Sequence, residues 1–268
     1  MKARLESLYH TYNNPSYIHP DPLEYVRRYP AIKDREIAGV IASCLSFGRV
    51  SQILLTLSRV FDVMGPSPRA YVEQGSQRTF NKDYKGFVYR FVREEHLVSL
   101  LTGLGRMIED HGTLENCFVS GLSHDDETIV PAMGRFVNQI VQNYDPGYLV
   151  ARPDKGSAMK RMNLFLRWMV RQDAVDPGGW NRVDQSRLII PLDTHMHRIS
   201  KKLGLTERNQ ADMRTAMEIT ESFRRFSPND PVKYDFSLTR FGIRSELDMD
   251  QCCLFLNSQS VGAGSKPA

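Results

Sequence analysis

A chain of 268 residues, 41% hydrophobic and 25% charged, has the length and composition of a globular protein that buries a large core as one domain or two lobes. No apolar run approaches the roughly 18–20 residues of a membrane span, and the opening MKARLESLYHTYNN has no apolar signal core, so a cytoplasmic protein is expected. The four cysteines (Cys44, Cys117, Cys252, Cys253) lack CxxC spacing, which excludes a thiolate metal ribbon and favours reduced thiols. Residues 36–63 then carry apolar side chains at helical spacing: Ile37, Val40, Ile41, Cys44 and Leu45, followed by Ile53, Leu54, Leu57, Val60 and Phe61. The pattern breaks near Phe47-Gly48, predicting two helices or a kink, and Gly65-Pro66-Ser67-Pro68 ends the unit. Helical periods return over 87–110 (Val88, Phe91, Val92, Leu97, Leu100, Leu101, Leu104) and 127–142 (Ile129, Met133, Phe136, Ile140). The small, polar residues 112–125 between them predict a loop with a short turn. No stretch alternates strictly between apolar and polar, so an all-α protein with few strands is expected. The polar residues 258–268 read as a disordered tail.

The net charge of +4 conceals an uneven distribution. Residues 151–202 hold eleven Lys/Arg against five Asp/Glu, so this stretch carries +6 while the remainder is −2. Such a segment is either a solvated surface or the footprint of a phosphate-binding face. Within it, Lys160, Asn163, Arg167 and Arg171 fall at spacings of 3, 4 and 4 on a predicted helix, opposite Met162, Phe165, Leu166 and Met169. That spacing predicts a cationic stripe on the solvent side of the helix. Gly156-Ser157-Ala158 precedes it. Small residues there form either a simple tight turn or a place where a phosphate meets backbone N–H groups at the positive end of a helix.

The sequence Pro191-Leu192-Asp193-Thr194-His195 opens a second helix whose apolar period (Met196, Ile199, Leu203) stops at Gly204. Asp193 has the type and position of an N-cap, which would also fix a carboxylate as an anion at a defined point. His195 and His197 are two residues apart, so they point to different helix faces and predict no metal site. Trp168 lies toward the apolar side of its helix and reads as core. Trp180 follows Pro177-Gly178-Gly179 in a loop and is the candidate for an exposed ring that stacks on a base.

The small-residue turn before Lys160 and the motif Leu192-Asp193-Thr194-His195-Met196-His197-Arg198 together resemble the helix-hairpin-helix DNA glycosylases. Those proteins pair a G-x-G-x-K hairpin with a V-D-T-H-x-x-R helix start. Here Ala158 stands where the second glycine is usual, and the 33-residue separation of Lys160 and Asp193 is longer than in the common members. In both respects the chain is similar to the archaeal 8-oxoguanine glycosylase branch. It also resembles an uncharacterised bacterial family that shares KGSA-x-KR and PLDTH. The resemblance implies a two-lobed, all-α fold with DNA in the cleft, one lobe spanning about 41–190 and the other combining 1–40 with 191–257. It places Lys160 on the lyase lysine and Asp193 on the catalytic aspartate. Gly156, Ser157 and Ala158 fall on the hairpin that grips DNA phosphate, with Arg161, Arg167 and Arg171 as further DNA contacts. Asp235, in KYDFSLTRFGI, falls on an aspartate that touches the extruded base, and Phe47 and Arg49, in the Ser46–Arg49 link, lie where base-reading residues stand. No cofactor is implied, and the four-cysteine iron–sulfur loop of a sister branch is absent from the sequence.

The implied function is base-excision repair of double-stranded DNA in the cytoplasm, at the nucleoid. A damaged nucleotide, most simply one bearing 8-oxoguanine, would be flipped from the duplex. Lys160 would displace the base and form a Schiff base with the sugar, while Asp193 stabilises the positive charge on that sugar. Lys160 could instead hold a phosphate. Two other expectations compete: a DNA-binding module without chemistry, and an enzyme acting on RNA or nucleotides.

Overall fold

A computed structural model describes residues 1–152 and 156–258. Lys155, which opens the KGSA motif, and all of the predicted tail after Ser258 lie outside these residues. The described chain is mostly helical. Its helices are α1 (Lys2–Tyr12), α2 (Leu23–Arg27), α3 (Ile32–Cys44), α4 (Val50–Met64), α5 (Pro68–Gln74), α6 (Gln77–Asp83), α7 (Glu94–His111), α8 (Leu114–Ser120), α9 (Val130–Val141), α10 (Lys160–Val170), α11 (Thr194–Lys202), α12 (Met213–Arg224), α13 (Asp235–Ile243) and α14 (Met249–Asn257). One antiparallel hairpin, β1 (Val88–Tyr89) and β2 (Val92–Arg93), pairs Val88 with Arg93 and Tyr89 with Val92.

The chain is organised around α3, whose residues from Glu36 to Cys44 are all buried. It packs against α10, α2 and α5, while α7 packs against α5, α6, α8 and α9. A second group joins the two ends of the sequence: α1 rests on α13 and α14, and α11 rests on the same two helices. The expected lobe boundary at 40/41 falls inside α3, because this continuous helix is the partner of α10.

Local sequence explains the helix starts. Ser67, Ser76, Thr113, Asp193, Asp212 and Asp248 each stand at an N-cap and accept a hydrogen bond from a backbone N–H in the first turn of their helix. The break expected near Phe47-Gly48 is the link between α3 and α4. Two expectations are corrected. Residues 88–93, read as the start of a helix, form the hairpin, because Phe87-Val-Tyr-Arg-Phe-Val is a β-branched and aromatic run that suits strands. Residues 112–125 contain α8, two turns of helix capped by Thr113 and buried through Leu114, Cys117 and Phe118. All four cysteines are free and buried, and among the described residues no helix is long and apolar enough to cross a membrane.

Candidate functional site

A cleft of about 760 Å³ opens between the two groups of helices. One wall is built from the α3–α4 link, Tyr148, Ser157 and the first two turns of α10. The other is built from Pro20–Pro22, Pro191–His195 and α13. Lys160 and Asp193, 33 residues apart in the chain, both line it, as do Phe47, Arg161 and Asp235.

The turn before Lys160 is held by its own hydrogen bonds. Gly156 lies at φ 69° and Met159 at φ 51°, so the chain makes two left-handed steps on entering α10. Ser157 accepts a hydrogen bond from the Met159 N–H at 3.2 Å and bridges to Asp212. Ala158 is buried, and its carbonyl accepts from Asn163 Nδ2 at 3.0 Å. The last helical element described before this turn is a single 3₁₀ turn, Gly147–Leu149. Lys160 is the first residue of α10, half-exposed, with Nζ 3.5 Å from the carbonyl oxygen of Ser46. Next to it, Arg161 donates to the Cys44 carbonyl at 3.0 Å and lies over the rings of Phe47 and Tyr148. Burial between those rings pulls its guanidinium below the ordinary arginine range.

Asp193 caps α11 as the sequence predicts: Oδ1 accepts from the Met196 N–H at 2.8 Å. Its other oxygen takes no hydrogen bond among the described residues, so it is available to the cleft. The adjoining His195 packs on Gly242 of α13, where a side chain on that glycine would overlap the imidazole ring. His197 turns away and bonds the Arg208 carbonyl at 2.9 Å, so the HxH pair is split as its spacing predicts.

The floor of the cleft is ionic. Asp235 is 2% exposed and pairs with Arg167. Its second oxygen, Oδ1, is buried and has no hydrogen-bond partner among the described residues. Burial pushes the Asp235 carboxyl up to about 6; Arg167 opposes the rise and the neighbouring Asp193 charge adds to it. Arg167 also bonds Asp176 at 3.0 Å. Arg171, one turn on, pairs with Asp176, with Asp173 at 2.9 Å and with Asp230 at 3.0 Å. These aspartates outweigh the desolvation, which acts to lower the arginines, and both guanidinium groups are held above their ordinary range.

This network corrects the cationic stripe. Asn163, Arg167 and Arg171 are 1%, 3% and 2% exposed, so the latter two do not meet DNA phosphate as surface contacts. Their partners arrive from the 172–177 loop and from residues 230–235, beyond the reach of a helical-spacing rule. Trp180 is corrected as well. It is 1% exposed because the loop turns back at Gly178 and Gly179 and pins itself to the end of α10, through Gly178 N–H to Trp168 O and Trp180 N–H to Met169 O. The indole packs among Phe118, Phe136 and Phe165, and its Nε1–H donates to Glu36 Oε1 at 2.7 Å. Glu36 also accepts from the Leu114 and Glu115 N–H groups. Burial raises the Glu36 carboxyl, and these three donors oppose the rise. Trp168 is core, as predicted.

Residues that sequence reasoning passed over also line the cleft. Tyr148 stands beside Phe47, with ring centroids 5.0 Å apart. Asp21 and the buried Arg240 form an ion pair of 2.8 Å across the ends of the described chain. No short motif marks either; the DP dipeptide at Asp21 reads only as a turn.

The family described as "Protein of unknown function (DUF2400)" matches residues 21–244, a span that contains every residue of the cleft apart from Pro20. The chain belongs to that family. No curated protein and no solved structure matches it.

Proposed function

We propose that this DUF2400 protein is a DNA glycosylase with lyase activity that removes an oxidised purine, 8-oxoguanine in the first instance, in the course of base-excision repair. The observation that carries the reading is the meeting of Lys160 and Asp193 in one cleft. Among the described residues the lysine is the only one on its walls, and the aspartate is fixed by its cap bond with its other oxygen taking no hydrogen bond. An amine beside a fixed carboxylate suits displacement of a base from a sugar carbon, since the carboxylate stabilises the cationic character that grows there. Lys160 nitrogen attacks the anomeric carbon, the glycosidic bond breaks, and its electron pair leaves with the base, which takes up a proton. Ring opening then gives an iminium between Lys160 and the sugar; loss of a C2′ proton to a base forms the C2′–C3′ double bond and expels the 3′ phosphate.

The orphaned Oδ1 of Asp235 supports an oxidised purine as the leaving base. A buried acceptor without a donor disfavours an empty or apolar occupant. Oxidation of guanine at C8 adds an N7–H, a donor that the undamaged base lacks. A site whose buried polar group is satisfied by one ligand and stranded by another discriminates strongly between them.

Borohydride reduction in the presence of a panel of lesion-bearing duplexes tests this reading. A covalent protein–DNA product is expected with the 8-oxoguanine duplex and is expected to be lost in Lys160→Ala. A product that survives Lys160→Ala refutes the assignment of the nucleophile. Salt-dependent duplex binding with no base released from any lesion refutes the enzyme.

A further inference from the structure

The β1–β2 hairpin has no part in the chemistry proposed above, yet it stands at the mouth of the cleft with unusual exposure. Its tip residue Phe91 is 65% exposed, and Tyr148 beside it is 52% exposed. Arg90, also at the tip, is a non-glycine residue at φ 53°, a left-handed conformation that persists only where its surroundings impose it. The tip is braced from below: Tyr89 donates its hydroxyl to the Phe47 carbonyl, and the Arg90 side chain lies against the backbone at Gly48. A held, exposed aromatic ring is a different object from a stray surface residue.

The rings form a series from the cleft wall outward. Phe47 meets Tyr148 at 5.0 Å and Tyr148 meets Phe91 at 5.7 Å, both edge to face. Guanidinium groups sit over them: Arg161 over Phe47 and Tyr148, and Arg90 over Phe91. On its other side the hairpin borders a smaller hollow of about 300 Å³. Arg49, Arg59 and Arg90 line that hollow, and among the described residues no carboxylate does. Arg49 lines both hollows, so the cationic surface is continuous with the cleft. Exposed π-faces alternating with guanidinium groups that form no ion pair among the described residues match a stacked polyanion; an apolar peptide or lipid chain would leave those charges desolvated.

We propose that the hairpin tip is a base-stacking wedge for duplex DNA. Phe91, backed by Tyr148, fills the space vacated when a nucleotide enters the cleft, and Arg49, Arg59 and Arg90 hold the phosphates alongside. The proposal rests on the reading that the cleft admits an extruded nucleotide, but not on Lys160 chemistry.

A duplex containing a tetrahydrofuran abasic analogue, with 2-aminopurine opposite it, separates the two, because this DNA has no base to release. The full chain is expected to prefer it to the intact duplex and to change the 2-aminopurine fluorescence on binding. Phe91→Ala is expected to reduce that preference on the order of 10-fold, the scale of one lost base–aromatic stack, and Phe91→Trp to restore it. Replacing Arg49, Arg59 and Arg90 together by Gln should weaken both duplexes alike and flatten the slope of log affinity against log salt by about 3. Unchanged preference and fluorescence in Phe91→Ala overturn the wedge, whatever the lesion panel yields. A Phe91-dependent preference without any trapped complex overturns the lyase reading and leaves the wedge standing.

Discussion

Asp235→Asn tests the ionic floor of the cleft through the pH dependence of stability. The Asp235 carboxyl moves from 3.8 to about 6 on folding, chiefly through burial, with Arg167 opposing the rise and Asp193 adding to it. Below pH 3.8 the folded and unfolded chains both hold the proton, and above about 6 neither does. Between those limits only the folded chain holds it. The folded state therefore binds more protons in that window, and this group makes stability fall as pH rises from about 4 to 6. At about 1.4 kcal/mol per pH unit, the fall amounts to on the order of 3 kcal/mol. Asparagine keeps the size of the side chain and cannot titrate, while Arg167 retains Asp176. Urea unfolding of both proteins between pH 4 and 7.5 gives the difference in stability at each pH. Asp230, also raised by burial, contributes to both proteins and cancels. The stability of Asp235→Asn relative to the parent is expected to climb by about 3 kcal/mol across the window. A difference that stays flat refutes the claim that Asp235 is driven up by burial beside Asp193.

Three further outcomes follow from the packing. Arg171→Met removes the cation facing Asp173, Asp176 and Asp230, all largely or wholly buried, and is expected to cost about 3–5 kcal/mol in urea unfolding near neutral pH. Gly103→Ala sets a methyl group against the Ile140 carbonyl where α7 meets α9; the two helices must separate, and a loss of about 1–3 kcal/mol is expected by thermal unfolding. Asp193→Ala loses the α11 cap, worth about 1 kcal/mol, whereas Asp193→Asn keeps it. Both variants are expected to lose borohydride trapping, so a trapping-competent Asp193→Asn would reduce Asp193 to a cap.

What was legible in the sequence was local. The break between α3 and α4, the apolar side of α10 and the Asp193 cap depend on neighbours within a few residues, and each is where its pattern places it. The α8 helix was legible too: Thr113 followed by Leu114, Cys117 and Phe118 is a cap before a helical period, masked by the polar residues around it. The hairpin misled because Val88, Phe91 and Val92 fall at i, i+3 and i+4 by coincidence; in the structure Val88 and Phe91 are exposed and only Val92 is buried. Arg167, Arg171 and Trp180 were illegible for another reason. Charge at helical spacing predicts a wet face only when no buried anion waits for it. Here Asp176 comes from a loop beyond the helix and Asp230 and Asp235 from some sixty residues further on.

That internal pairing alters how the chain's charge bears on function. The +6 of residues 151–202 first suggests that this segment is the face that meets a polyanion. Yet Arg167 and Arg171 are spent on buried aspartates, Arg187 on the carbonyls of Ser123 and His124, and Lys202 on Asp250. The guanidinium groups left at the cleft mouth come mostly from elsewhere: Arg49 and Arg59 from α4 and its cap, Arg90 from the hairpin, with Arg161 alone contributed by the basic segment. Net charge over a window of sequence therefore did not say which of the guanidinium groups face solvent, and it missed those at the hairpin. Salt dependence of binding offers a direct reading of this reassignment, since charge-removing changes at Arg49, Arg59 and Arg90 should lower the slope while the same changes at Arg167 and Arg171 should act through unfolding instead.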